Sequence, residues 1–311
     1  MTGRRLWVLA AAALLLGACA TGPRPERPLR PEGLALRSAI GAVPFYPQEE
    51  YQCGPAALAM ALSWSGVDVR PEELAPMVFT PARRGSLQPD MIAAARRLGR
   101  LAYTIAGEEA LLREIAAGHP VVVLQNLGLS WYPVWHYAVA VGYDLEAGEI
   151  TLHSGLSARK RTALSLFRAT WSRGAEWGLL VLPPDRLPAT AEEARLLESL
   201  TALEGARRPE AAAAGYRAAL ERWPGSLTAM MGLGNSLYAV GDLEGSAQAF
   251  HRAAENHPES GAAFNNLAHV LAQLGRRTEA LAAALRAVAL GGPLKETYEK
   301  TLLEIRSSSS P

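Results

Sequence analysis

The chain has 311 residues, enough for about two domains, and its 49% hydrophobic and 20% charged content excludes a wholly disordered protein. Thirty-one Lys and Arg against thirty Asp and Glu leave a net charge of +1, and no Lys/Arg cluster is interleaved with aromatics. A nucleic-acid partner is therefore excluded.

The first residues have the layout of a targeting segment: Arg4 and Arg5 give a basic start, and residues 6–16 form an apolar run too short to span a bilayer, which needs ~20. Leu16-Gly17-Ala18-Cys19 follows and resembles a bacterial lipobox. An ordinary secretory signal or a short membrane anchor are the alternatives. The resemblance implies a signal peptide over 1–18, lipidation of Cys19 and attachment to a membrane. Ala20 stands where an inner-membrane retention signal would place Asp, which implies the outer membrane, facing the periplasm. Lipid on Cys19 would leave Cys53 without a disulfide partner in an oxidising compartment; a Cys19–Cys53 disulfide is the competing possibility.

Residues 19–37 carry Pro23, Pro25, Pro28 and Pro31 among charged residues and are expected to form an extended tether. Beyond it, periodicity and caps predict helices from Cys53 to Gly66 and over 71–78, 88–98 and 108–117. Strands are expected at 100–105, 120–124, 137–143, 149–153 and 177–182. Helices followed by antiparallel strands make residues 38–184 an α+β domain. After Pro184 the composition turns to Ala, Leu, Glu and Arg without strand patterning.

The segment that organises the first domain is residues 46–62, where Cys53 stands at the mouth of a helix. Backbone N–H groups without partners and the positive helix end should stabilise a thiolate there, so Cys53 is expected to ionise more readily than a free cysteine. Attack on an acyl carbon also needs a base and oxyanion donors. His136 is the best base among the six histidines, because it opens a strand after the aromatic loop 131–135. That loop, Trp131-Tyr132-Pro133-Val134-Trp135, reads equally as a wall beside a cleft or as core packing.

Gln48, then Cys53-Gly54-Pro55-Ala56-Ala57-Leu58, and later His136-Tyr137-Ala138-Val139-Ala140-Val141-Gly142-Tyr143 together resemble the C39-like cysteine peptidases of the papain-fold clan. The resemblance implies a papain-like fold, Cys53 as nucleophile, His136 as base, and Gln48 with the Cys53 N–H as oxyanion donors. Gln48 lies five residues before the cysteine where the family usually has six, and Gln52 is the second candidate. The family places Asp or Asn on the strand after the histidine to orient the ring. Here that strand reads Ile150-Thr151-Leu152-His153-Ser154-Gly155, so Ser154 or His153, or a backbone carbonyl, must take the role. Asp144, at the far end of the preceding strand, is too distant. Relatives fused to export transporters cut after paired glycines, a specificity that does not carry over to this chain.

In the second half, Pro224 and Pro258, Leu233 and Leu267, and Gly241 and Gly275 recur at a thirty-four-residue period. With Tyr216, Phe250, Phe264 and Ala287 they resemble tetratricopeptide repeats, which implies an all-α solenoid of two to three helix pairs over 190–306 and a frayed tail over 307–311. Gly232-Leu233-Gly234 falls inside a repeat helix and is no phosphate loop, and no metal set or cofactor motif is visible. The expected protein is thus an envelope-anchored cysteine peptidase, with a peptide or protein substrate and a protein partner on the repeats. A catalytically weak binding adaptor is the alternative from another class, and a cell-wall amidase or acyltransferase using the same thiol is the third.

Overall fold

The computed structural model describes residues 32–48 and 51–307. The expected signal segment, Cys19, most of the tether, Glu49, Glu50 and the last four residues lie outside the described residues. The described residues from Leu34 onward form one compact unit. Leu34 is buried and β1 (Arg37–Ala39) joins the main sheet, so residues 34–37, assigned from sequence to the tether, belong to the fold.

The first half runs α1 (Cys53–Trp64), α2 (Pro71–Val78), β2 (Phe79–Thr80), a short turn, β3 (Gly85–Ser86), α3 (Gln88–Arg97), β4 (Leu101–Ala106), α4 (Glu108–Ala116), β5 (Val121–Asn126), β6 (Trp135–Asp144), β7 (Glu149–Ser154), β8 (Ser157–Ala163), α5 (Leu164–Trp171) and β9 (Trp177–Leu182). The sheet has the order β4-β9-β5-β6-β7-β8, with β1 on β6, and every one of these pairings is antiparallel. The expected α+β architecture stands.

Helix α1 is buried continuously from Gly54 to Leu62, so small residues on every side let it lie deep in the domain against the sheet. Pro55 costs it no hydrogen bond, because it falls among the first four positions, whose N–H groups have no intrahelical acceptor. Strand β6 is its partner across the cleft and the longest strand of the sheet. Close to its end Gly142 lets β1 approach: a Cβ there would stand 2.8 Å from the Ser38 carbonyl oxygen.

Strand β8 is exposed at every residue but Thr162 and forms one edge of the sheet. Its Arg159, Lys160 and Arg161 guard that edge against pairing with another chain.

The second half continues with α6 (Glu193–Gly205), α7 (Pro209–Arg222), α8 (Leu227–Ala239), α9 (Leu243–Asn256), α10 (Gly261–Gln273), α11 (Arg277–Leu290) and α12 (Lys295–Ser307). Three helix pairs open at Glu193, Leu227 and Gly261, thirty-four residues apart, and α12 caps the last pair. Gly232 and Gly234 have a packing reason: a Cβ would meet the Tyr216 ring at 2.2 Å and the Phe250 ring at 2.4 Å.

The halves share a core, in which Leu196, Leu200 and Tyr216 join the same apolar cluster as Leu101 and Tyr103. Glu114 of α4, fully buried, ties the connection down. It accepts hydrogen bonds from His119, the Ala189 N–H, and both the N–H and the hydroxyl of Thr190. Burial alone would raise its pKa, but the bonds from His119 and Thr190 outweigh it, and the carboxyl sits below its ordinary range.

Candidate active site

A cavity of about 1060 Å³ opens between two hairpins of the first half, and Gln48, Cys53 and His136 all line it. One wall is the β2–β3 hairpin, from Arg83 to Gln88; the other is the chain from Tyr132 to Tyr137. Gly54 permits the close approach of the first wall, since a Cβ there would stand 2.4 Å from the Ser86 Cβ.

Cys53 is the first residue of α1, with Gln52 as its N-cap. The backbone N–H groups of Tyr137, Gly54 and Cys53 act on its sulfur in favour of the thiolate. The Tyr137 N–H belongs to the peptide that joins it to His136, so strand β6 brings the sulfur to the backbone beside the imidazole. Among the hydrogen bonds of the described residues there is none from the Cys53 thiol to the His136 ring.

The expected easy ionisation of Cys53 is corrected here. Burial pushes the thiol above its ordinary pKa, and the three N–H groups only partly offset it. The sequence shows the helix end but not the depth at which the fold sets it. His136 moves the opposite way: burial, assisted by the positive charge of Lys160, holds its pKa below the ordinary imidazole value. Both shifts favour the uncharged thiol and the uncharged ring.

The two candidates for orienting the ring separate cleanly. Ser154 Oγ lies 2.8 Å from His136 Nε2. His153 points elsewhere: it is buried, its Nε2 faces the Val43 carbonyl at 3.3 Å and its Nδ1 accepts from the Arg159 N–H at 3.0 Å. With both nitrogens committed to backbone, His153 cannot orient His136. Asp144 is likewise elsewhere, paired with Arg37 at the far end of β6.

Gln48 is buried and braces the site. Its Nε2 donates to the Tyr137 carbonyl at 3.0 Å and, at 3.5 Å, to the Cys53 carbonyl, while its Oε1 accepts from the Gly155 N–H at 2.7 Å. One side chain thus ties together the α1 entrance, β6 and the turn after Ser154. The short bond to Tyr137 fixes the amide; the long bond to Cys53 is the weaker one.

The aromatic loop is a wall and not core packing. Trp131, Tyr132 and Trp135 are 80%, 69% and 52% exposed. The hairpin holds its shape through Asn126, whose Oδ1 accepts from Gly128 and Val134 N–H at 2.9 Å each. Arg173 fastens it from the other side, donating to the Asn126 and Gly128 carbonyls. Neither residue was singled out from sequence; the Asn126-Leu127-Gly128 turn signal was its only trace.

Comparison with known proteins divides the chain at the same place. The Peptidase_C39 like family model matches residues 40–174, and the tetratricopeptide repeat model matches residues 197–250 and 232–293. No curated protein matches the sequence. Among solved structures, a C39-like peptidase from Bacillus anthracis is similar at 18% identity, covering 47% of this chain and 97% of its own, with a TM-score of 0.40. The peptidase domain of Streptococcus ComA, a bi-functional ABC transporter, is similar at 19% identity, covering 45% of this chain and 98% of its own, with a TM-score of 0.38. For the second half, the Yersinia enterocolitica type III secretion chaperone SycD, solved with a peptide of the translocator YopD, is 18% identical, covers 38% of this chain and 94% of its own, and has a TM-score of 0.35. The chain therefore joins a domain of the Peptidase_C39 like family, at residues 40–174, to tetratricopeptide repeats at residues 197–293.

Proposed function

We propose that the chain is a cysteine peptidase that hydrolyses peptide bonds at Cys53, with the repeats holding a protein substrate or partner. The observation that carries it is the meeting of Cys53, His136 and Gln48 in one cavity, with Ser154 at the imidazole nitrogen Nε2. When Nε2–H donates to the Ser154 hydroxyl, Nδ1 is left unprotonated and able to take the thiol proton. Catalytic hydrogen bonds commonly tighten only when substrate is bound, so the missing Cys53–His136 bond does not remove the ring from this role.

In the proposed sequence the thiol proton passes to Nδ1 and sulfur attacks the carbonyl carbon. The oxyanion is held by the Cys53 N–H and by the Gln48 amide proton whose bond to the Cys53 carbonyl is long. The imidazolium returns its proton to the departing amine, the C–N bond breaks, and a thioester remains. Water then attacks the thioester carbon, giving a proton to His136; the C–S bond breaks, the acid product leaves, and the imidazolium returns the proton to sulfur to restore the thiol.

The adaptor is the second reading, and it too has an observation behind it. The position beside Nε2 holds a hydroxyl, which can donate or accept, where an amide or carboxylate oxygen would only accept and so would fix the tautomer. Peptide-library cleavage by the compact unit from Leu34 onward, with Cys53→Ala as control, decides between them. Cleavage by the parent and none by the variant supports hydrolysis; none by either leaves the adaptor.

The proposal extends to the envelope. Cleavage after residue 18, lipid on Cys19 and an outer-membrane position rest on the N-terminal sequence alone. Incorporation of labelled palmitate that vanishes in Cys19→Ala is the expected result, and an unlabelled parent chain would remove the anchor.

A further inference from the structure

We infer that the cleft takes a peptide bearing a carboxylate, from an acidic side chain or from the chain terminus, which Arg83 and Arg84 receive. This rests on the cleft being the substrate site proposed above, and it assigns the chemical class that the site prefers.

The charge lining the cavity is one-sided. Arg83, Arg84 and Arg173 line it, and none of its described lining residues is Asp or Glu. The whole chain is nearly balanced, at +1, so this is a local arrangement and not a share of general basicity. Behind the lining the two signs are both present, Lys160 of β8 acting on the titration of His136 and Asp90 of α3 on that of Tyr137, so the excess of positive charge belongs to the lining itself.

The three arginines differ in what they already do. Arg173 spends its guanidinium on the carbonyls of Asn126 and Gly128 and so serves the hairpin. Arg83 and Arg84 are exposed, and neither forms an ion pair among the described residues. Arg84 lies over the Tyr51 ring at 6.0 Å, which leaves its planar donor edge available. Both stand on the wall that faces His136, on the hairpin whose Ser86 packs against Gly54. A carboxylate a few residues from the scissile bond can therefore reach a guanidinium fork while the bond itself lies at Cys53.

Glu49 and Glu50 follow Gln48 in sequence and lie outside the described residues, so the test must include them. Full-length chain carrying Cys53→Ala is titrated with fluorescent peptides identical except for Glu or Gln beside a central bond, each with a free or amidated C-terminus, and the parent chain is assayed for cleavage of the same set. Tighter binding of the Glu peptides by about fivefold, what two exposed ion pairs of ordinary strength give together, is expected. The preference should fade with added salt.

The preference should also disappear in Arg83→Gln combined with Arg84→Asn, the asparagine chosen because Arg84 has a left-handed backbone, φ 48°, that Asn tolerates. Arg83→Lys with Arg84→Lys should retain part of it, which separates charge from folding. A preference for the free over the amidated terminus, with Glu and Gln equal, assigns the carboxylate to the chain end and upholds the inference. Equal affinity for all four peptides, or binding of none, overturns it. So does a preference that emerges only in Glu49→Gln/Glu50→Gln, because the arginines would then be neutralised from within. Charge-selective binding without any cleavage by the parent chain leaves this inference standing and removes the hydrolase reading instead.

Discussion

The cleft and the repeats are held together by different kinds of contact. In the cleft, the key contacts join residues from separate elements: Gln48 reaches the carbonyl of Tyr137 and the N–H of Gly155, and Ser154 meets the His136 ring. In the repeats, a glycine in one helix accepts a ring from a neighbouring one, as with Gly232 and Tyr216 or Gly234 and Phe250. Local, periodic packing can lose one contact and keep its architecture, whereas a site assembled from distant strands has no redundancy. Substitutions in the two regions should therefore damage different properties.

The largest effect belongs to the site. His136→Ala should lower peptide hydrolysis by about a thousandfold or more with little change in thermal melting, because the ring is not a core group that packing depends on. Steady-state rates and a melting curve on the same preparation test this. A loss of melting temperature that accounts for the lost activity would erase the distinction between site and scaffold.

Next comes the joint between the regions. Glu114→Gln keeps the shape but weakens the acceptor that the Ala189 and Thr190 groups rely on, and we expect a loss of about 2 kcal/mol from poorly satisfied buried donors. The pH dependence has a definite sign. The folded pKa lies below the unfolded value of about 4.3, so Glu114 contributes stability that is complete above that value and is lost as pH falls through the folded pKa. Denaturant melts of parent and Glu114→Gln should converge as the medium is acidified. Parallel curves down to low pH would deny the carboxylate this part.

A matched pair of glycines sharpens the comparison further. Gly234→Ala drives a methyl group into the Phe250 ring inside the repeat core and should cost about 1 to 3 kcal/mol, as overpacking does. Gly54→Ala presses on Ser86, part of a two-residue strand at the cleft wall that can move outward. It should cost less stability and more activity. Equal stability losses, with activity intact in both, would show that the cleft wall is packed like a core.

What could be seen in the sequence divides along the same line. The Pro71–Val78 helix has the bounds its caps predicted, and the β-branched run at Val121 and the apolar run from Tyr137 to Tyr143 are strands. The repeats were visible because a period repeats itself. Strand β8 was not, since Ser157-Ala158-Arg159-Lys160-Arg161-Thr162-Ala163 is polar on both faces and owes its strand to the edge of β7. Helix α5, at Leu164–Trp171, was missed for a related reason: it is short and follows β8 without a break.

In the site, Cys53, His136 and Gln48 carried local motifs. The choice between His153 and Ser154 did not, because neighbours on a strand point to opposite faces and the strand's own residues do not say which face meets His136. The direction of the thiol shift was equally out of reach, since it depends on how deeply tertiary packing buries the helix entrance.

The smallest expected effect tests how well Ser154 holds the ring. Thiol alkylation follows the thiolate fraction, and with Cys53 raised and His136 lowered the parent should label slowly at neutral pH and faster as pH rises beyond the range of an ordinary thiol. Ser154→Asn would place an amide oxygen beside Nε2 that can only accept, fixing the tautomer in which Nδ1 is free to take a proton, and should speed labelling and hydrolysis severalfold, up to about tenfold. Ser154→Ala should slow both by a similar factor. Labelling in the parent that is already fast and flat from mildly acidic to neutral pH would mean a preformed thiolate and imidazolium. In that case the uncharged pair inferred from burial is wrong, and Ser154 already does what an amide would do.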